Sequence, residues 1–147
     1  MVFQILQPKN AKEFQKMTQG REKVMVSGFN EEINRMAVES KKVSMLVSPE
    51  RGFGNDRMDA RNSGLNDVLC KLAAKNGVAI WVDIDELLQL HQDARIRRLG
   101  KILQNVRLCR KYHVKMVLVD GKGRNEKDLK SFGICMGMQP GVEVVKC

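Results

Sequence analysis

The chain has 147 residues, enough for one domain with a substantial core. It carries 26 Lys and Arg against 17 Asp and Glu, a formal net charge of +9. Twelve of the cations fall in residues 91–130 with only four carboxylates, the footprint of a polyanion partner, against which stands a merely solubilising surface.

Apolar runs and helical patterns alternate along the chain. The pattern predicts a strand at 2–7, a helix at 11–17, a strand at 23–29, and a helix at 30–40 capped by Asn30. A strand at 43–49 follows, then the long loop "ERGFGNDRMDARN". Ser63 is expected to cap a helix over 64–76, which Gly77 ends. Next come a strand at 78–84, a short "DELLQL" piece, a long helix at 92–112 and a strand at 114–120. The loop "GKGRNEKD" leads to a last helix at 126–136 and a short strand, "VEVVKC".

Five or six Val- and Ile-rich strands alternating with helices define an α/β fold with a parallel sheet. Residues 1–147 form one domain. Pattern alone leaves an open doubly wound sheet and a (β/α) barrel both standing, although the chain is short for eight βα units. Neither a GxGxxG nor a P-loop follows the first strand. On the long helix, Ile96, Leu99, Ile102, Leu103, Val106 and Cys109 share one arc. Arg97, Arg98, Lys101, Gln104, Asn105 and Lys111 lie opposite, either as a solvated face or as a surface for phosphates or an acidic partner.

Four cysteines, Cys70, Cys109, Cys135 and Cys147, form no CxxC pair, which argues against a zinc ribbon and for reduced thiols in the cytoplasm. Cys70 and Cys109 read as small core residues. No run approaches the ~20 apolar residues of a membrane span. The opening "MVFQILQPKN" does not read as a secretory leader.

Catalytic chemistry is hard to find. His91 and His113 stand outside any HxH or HExxH spacing and read as ordinary loop or helix-end residues. Asp83 and Asp85 sit at a strand end, but a helix-capping role explains them. There is no GxSxG. Two loops stand out instead. Loop 50–62 carries Arg51, Arg57 and Arg61 among glycines, and loop 121–128 carries Lys122, Arg124 and Lys127. Both follow strands, so both lie at the C-terminal edge of a parallel sheet, where α/β folds place ligands. Aromatic residues are few, so contact with phosphates and shape is expected rather than base stacking.

Three blocks carry a family resemblance: "NEEINRMAVESKKVSMLVSP", "RNSGLNDVLCKLAAKNGVAIWVDIDELL" and "ILQNVRLCRKYHVKMVLV". In this order they resemble the archaeal ribonuclease P protein component 3 family, the thirty-kilodalton subunit shared with eukaryotic ribonuclease P and MRP. The trailing "DLKSFGICMGM" is similar to a family segment as well. The resemblance implies a TIM-barrel-like parallel (β/α) fold, here incomplete, with five or six strands. It implies a non-catalytic, RNA-binding subunit of the enzyme that removes the 5′ leader of precursor tRNA. The partners it implies are the catalytic RNA and a component 2 homologue, with precursor tRNA met indirectly. It implies no cofactor in this chain; the magnesium of the holoenzyme is expected on the RNA.

Carried over by motif, Asn34, Arg35, Arg61, Asn62, Lys75, and Arg124 or Lys127 are the expected RNA contacts. Arg57 and Lys122 join them from the loop reading. The chain departs from the family in its shortness and in reading "DGKGR" where a serine-rich turn is common. The shortened sheet is expected to need cover at its edges, from a second copy or from the component 2 homologue. Two rivals remain: a small phosphoesterase-like barrel using Asp83, Asp85 and Asp120 with a metal, and a protein-interaction subunit that never touches RNA.

Overall fold

The computed structural model describes residues 4–56 and 58–147. The order is β1 (Ile5–Leu6), α1 (Ala11–Thr18), β2 (Val24–Ser27), α2 (Glu31–Glu39), β3 (Val43–Val47), α3 (Asp67–Asn76), β4 (Ala79–Asp83), α4 (Ile84–Gln89), α5 (Gln92–Tyr112), β5 (Met116–Asp120), α6 (Glu126–Cys135) and β6 (Glu143–Lys146). Val2 and Phe3 of the expected first strand lie outside the described residues. The other elements fall where the periodicity places them, within a few residues.

All six strands are parallel and lie side by side in sequence order, β1 to β6. Parallel crossovers between successive neighbours, when all of the usual right hand, put every helix on the same face. The packing shows this directly. One face of the sheet joins helix residues in two apolar clusters: Val26, Leu46 and Ile80 meet Ile33, Ala37, Leu69 and Ala73, and Val82 and Leu118 meet Ile102, Val106 and Leu129. The opposite face gathers strand residues only: Met25, Val47, Trp81, Val117 and Val119. A sequential parallel sheet with helices outside and a strand-lined inner face is the (β/α)-barrel arrangement, with six strands among the described residues where a full barrel has eight. It decides against the open doubly wound sheet, whose strand order reverses.

Local chemistry explains the boundaries. Asn10, Asn30 and Asn66 each accept a hydrogen bond from the backbone N–H three residues on, so each starts a helix. Gly77 ends α3 in the left-handed region at φ 67. The expected cap at Ser63 is corrected by Asn66. Gly64 takes φ +80, which breaks any helix there, and Ser63 is buried in the preceding loop. On α5 the expected apolar arc is corrected at Ile96, which is 60% exposed. Among the described residues, no helix is long and apolar enough to cross a membrane.

Candidate nucleic-acid interface

The C-terminal edge of the sheet gathers the loop after β2, the long loop after β3, the start of α4 and the loop after β5. The long loop is tied down along the polar side of α5. Arg98 reaches Glu50 at 3.3 Å and Glu86 at 3.2 Å. Lys101 donates to the carbonyls of Phe53 and Gly54 at 2.7 and 2.8 Å. Gln104 accepts from the Arg61 N–H and donates to the Arg61 carbonyl and the Ser63 hydroxyl. Asn105 donates to the Ser63 carbonyl. The expectation that this side of α5 is a free basic surface is therefore corrected for four of its residues. Lys101 and Asn105 are buried beneath the loop. Burial holds the Lys101 ammonium below its ordinary pKa, with the Arg98 and Arg97 charges adding to the effect against the pull of Asp56 and Glu50.

Asn34 belongs to the same clasp. Its amide donates to the carbonyls of Pro49 and Gly64 at 2.9 and 3.1 Å, pinning both ends of the loop to α2. It is fully buried, so the structure removes it from the expected RNA contacts: its motif position reflects packing. Gly64 must be glycine here. A Cβ would stand 1.9 Å from the Pro49 carbonyl oxygen, on a left-handed backbone.

Arg61 leaves the clasp facing outward. Its guanidinium lies against Gly100 of α5, where a Cβ would come within 2.7 Å of it, and it pairs with Asp56 at 3.3 Å. Glycine inside a helix costs about 1 kcal/mol relative to alanine; here it makes room for the arginine. Asn62 is half-buried, with its N–H held by Asp56. Both line a cleft of about 410 Å³ with Ser63, Asn66, Asp67 and Leu108. Arg57 lies outside the described residues.

Arg51 turns inward. It pairs with Glu86 and donates to the Ser27 hydroxyl at 2.5 Å. Burial pushes the Glu86 carboxyl up, but the Arg51 hydrogen bond and charge, with Arg98 behind them, hold it below its ordinary value. Glu50, more deeply buried, goes the other way: desolvation outweighs Arg98 and raises it.

After β5, Arg124 binds Asp85 at 2.6 Å and also Asp120, which is fully buried. The N–H groups of Arg124 and Lys122 also donate to Asp120. Burial pushes the Asp120 carboxyl up, and these donors together bring it below its ordinary value. Arg124 thus bridges two carboxylates, and the exposed cations of this loop are Lys122 and Lys127. Asp83 accepts from the Glu86 N–H and caps α4. The carboxylates that a metal-dependent enzyme would need are spent on caps and on Arg124. Among the described residues, no group of three or more His, Cys, Asp or Glu is placed to hold a metal ion.

Two expected residues stand apart. Arg35 is exposed on α2 and, among the described residues, pairs with Glu39 one turn on, a contact worth about 0.3–0.5 kcal/mol and easily exchanged. Lys75 is exposed in the last turn of α3, toward the opposite end of the sheet from the loops. The expected residues thus do not share one pocket. The sequence reading missed the clamp by Arg98, Lys101, Gln104 and Asn105. Its available signal was a helix carrying Gly100 and adjacent amides opposite a long loop.

Fold and site together define a basic, parallel (β/α)-barrel-type protein whose exposed cations surround a loop held rigid by buried polar contacts. Comparison with known proteins shows what the chain is similar to. The chain is 42% identical to ribonuclease P protein component 3 of Methanosarcina acetivorans over 95 residues, 65% of this chain and 36% of the relative. It is 33% identical to the protein of the same name from Thermococcus kodakarensis over 119 residues, 78% of this chain and 50% of the relative. A chain in the cryo-EM structure of archaeal ribonuclease P with mature tRNA superposes with a TM-score of 0.74 at 26% identity, covering 91% of this chain and 59% of that one. No protein-family model matches. The chain is therefore a relative of ribonuclease P protein component 3, as its motifs indicated, and it spans half or less of the length of these curated relatives.

Proposed function

We propose that this chain is an RNA-binding subunit of a ribonuclease P, supporting a catalytic RNA in removing the 5′ leader of precursor tRNA. The observation that carries the reading is the likeness to ribonuclease P protein component 3 on a surface that is basic and whose strand-end carboxylates are already engaged. The chain supplies charge and shape: Arg61, held flat on Gly100, and Arg35, Lys75, Lys122 and Lys127 meet phosphates, with Asn62 beside them. Arg124 shapes its loop. The partners are the catalytic RNA and a component 2 homologue in the cytoplasm, with magnesium on the RNA. The sheet edges at β1 and β6 are where a component 2 homologue or a second copy would dock.

A protein that neutralises phosphates loses affinity with salt, by about 0.7–0.9 in log–log slope per contact. Arg61→Ala should lower that slope by about one contact while the fold is retained, since the side chain is half-exposed. A slope equal to that of the unmodified chain would take Arg61 out of the interface.

A further inference from the structure

The contacts along α3 and α5 place four cations on two neighbouring helices. Lys71 and Lys75 lie one turn apart on α3, and Arg107 and Lys111 one turn apart on α5, so each pair shares a helix face. All four are exposed. The Tyr112 ring stands between the helices, with the Lys71 ammonium 5.6 Å and the Lys111 ammonium 5.0 Å from its centroid. Among the described residues, the one carboxylate paired with any of the four is Asp67, which takes Lys111 at 3.0 Å and the Tyr112 hydroxyl at 2.5 Å. Hydrogen bonds from Tyr112 and Lys111 hold the Asp67 carboxyl below its ordinary pKa.

Two ammonium groups drawn to one ring repel each other, and the ring and one carboxylate offset only part of that charge. Asp67 and Leu108 also line the cleft that holds Arg61 and Asn62. The patch therefore continues from Arg61 along the α3–α5 groove to Lys75.

We propose that the α3–α5 groove is a phosphate track for one RNA strand, with Lys71 and Lys111 as its central contacts and Asp67 as the counter-charge the RNA displaces. This rests on the RNA-subunit reading and adds to it a path joining Arg61 to Lys75. An acidic protein partner fits less well. Lysine is depleted in protein–protein interfaces, whereas on nucleic acid it serves as a point charge for phosphate.

The test is a salt titration of binding to transcribed ribonuclease P RNA, with acetic-anhydride mapping of lysines in parallel. Lys71→Gln combined with Lys111→Gln should lower the log–log slope by about 1.4–1.8, two contacts' worth. Asp67→Asn should tighten binding, because Lys111 is released. RNA should protect Lys71 and Lys111 from acetylation, and polyglutamate at equal charge concentration should not. An unchanged slope in the double variant, with a lowered slope in Arg61→Ala, overturns the track and leaves the RNA-subunit reading standing. Equal protection by polyglutamate overturns it in favour of an acidic protein partner. Absence of RNA binding by the unmodified chain overturns both.

Discussion

Replacing Asn34 by alanine tests the loop clasp most sharply. The substitution removes two buried hydrogen bonds, to the Pro49 and Gly64 carbonyls, at a site with no exposure. Each buried carbonyl left without a partner costs about 1–3 kcal/mol. Among the described residues the side-chain oxygen of Asn34 has no partner, so its loss returns about 1 kcal/mol. The net expectation is a destabilisation of about 3 kcal/mol. With a urea dependence of about 2 kcal/mol per molar, the unfolding midpoint should fall by about 1.5 M with an unchanged slope. RNA binding under folding conditions should weaken through loosening of the loop, while its salt dependence stays that of the unmodified chain. A midpoint shift below about 0.3 M would refute the clasp. A lowered salt slope at unchanged stability would make Asn34 a contact after all.

Titration of the buried network should show two opposite signs. Glu86 is held below its ordinary value of 4.5, so its stabilising effect is present above that pH and is lost as pH falls through the lowered value. Glu86→Gln should therefore flatten the acid side of a melting-temperature profile; an unaltered acid limb would count against the Arg51–Glu86–Arg98 network. Glu50 is raised above 4.5, so its ionisation opposes folding as pH rises through the raised value. Glu50→Gln should leave stability at neutral pH equal or higher, and a clear drop would show that the charge is needed. At the sheet edges, light scattering with a component 2 homologue should give a mass above that of the chain alone. A monomer that ignores that partner and itself would show that the short edge strands need no cover.

The parallel fold was legible because its evidence is local: Val- and Ile-rich strand runs, the Asn30 cap and the helix-ending Gly77 are all written within a few residues. The start of α3 was misplaced because Ser63 and Asn66 are both good caps, and what decides between them is distant. Gly64 must pass under the Pro49 carbonyl and Asn34 must reach it. The same distance hid the role of α5. Its polar stripe has the spacing of a solvated face, and only the loop folded onto Lys101 and Asn105 turns it into a clamp. Arg61 and Lys75 came from motifs. Lys71 carries no motif, and what marks it is a shared aromatic ring on another helix.

The central claim is that this chain serves a catalytic RNA without cutting RNA itself. Reconstitution of precursor tRNA cleavage, with the ribonuclease P RNA alone, the chain alone, and both together with a component 2 homologue, tests it most directly. The account predicts no 5′ cleavage by RNA-free protein and faster cleavage by the RNA, or cleavage at lower magnesium, when the protein pair is added. Cleavage at the 5′ site by the chain alone, or an RNA whose rate is indifferent to its presence, would contradict it.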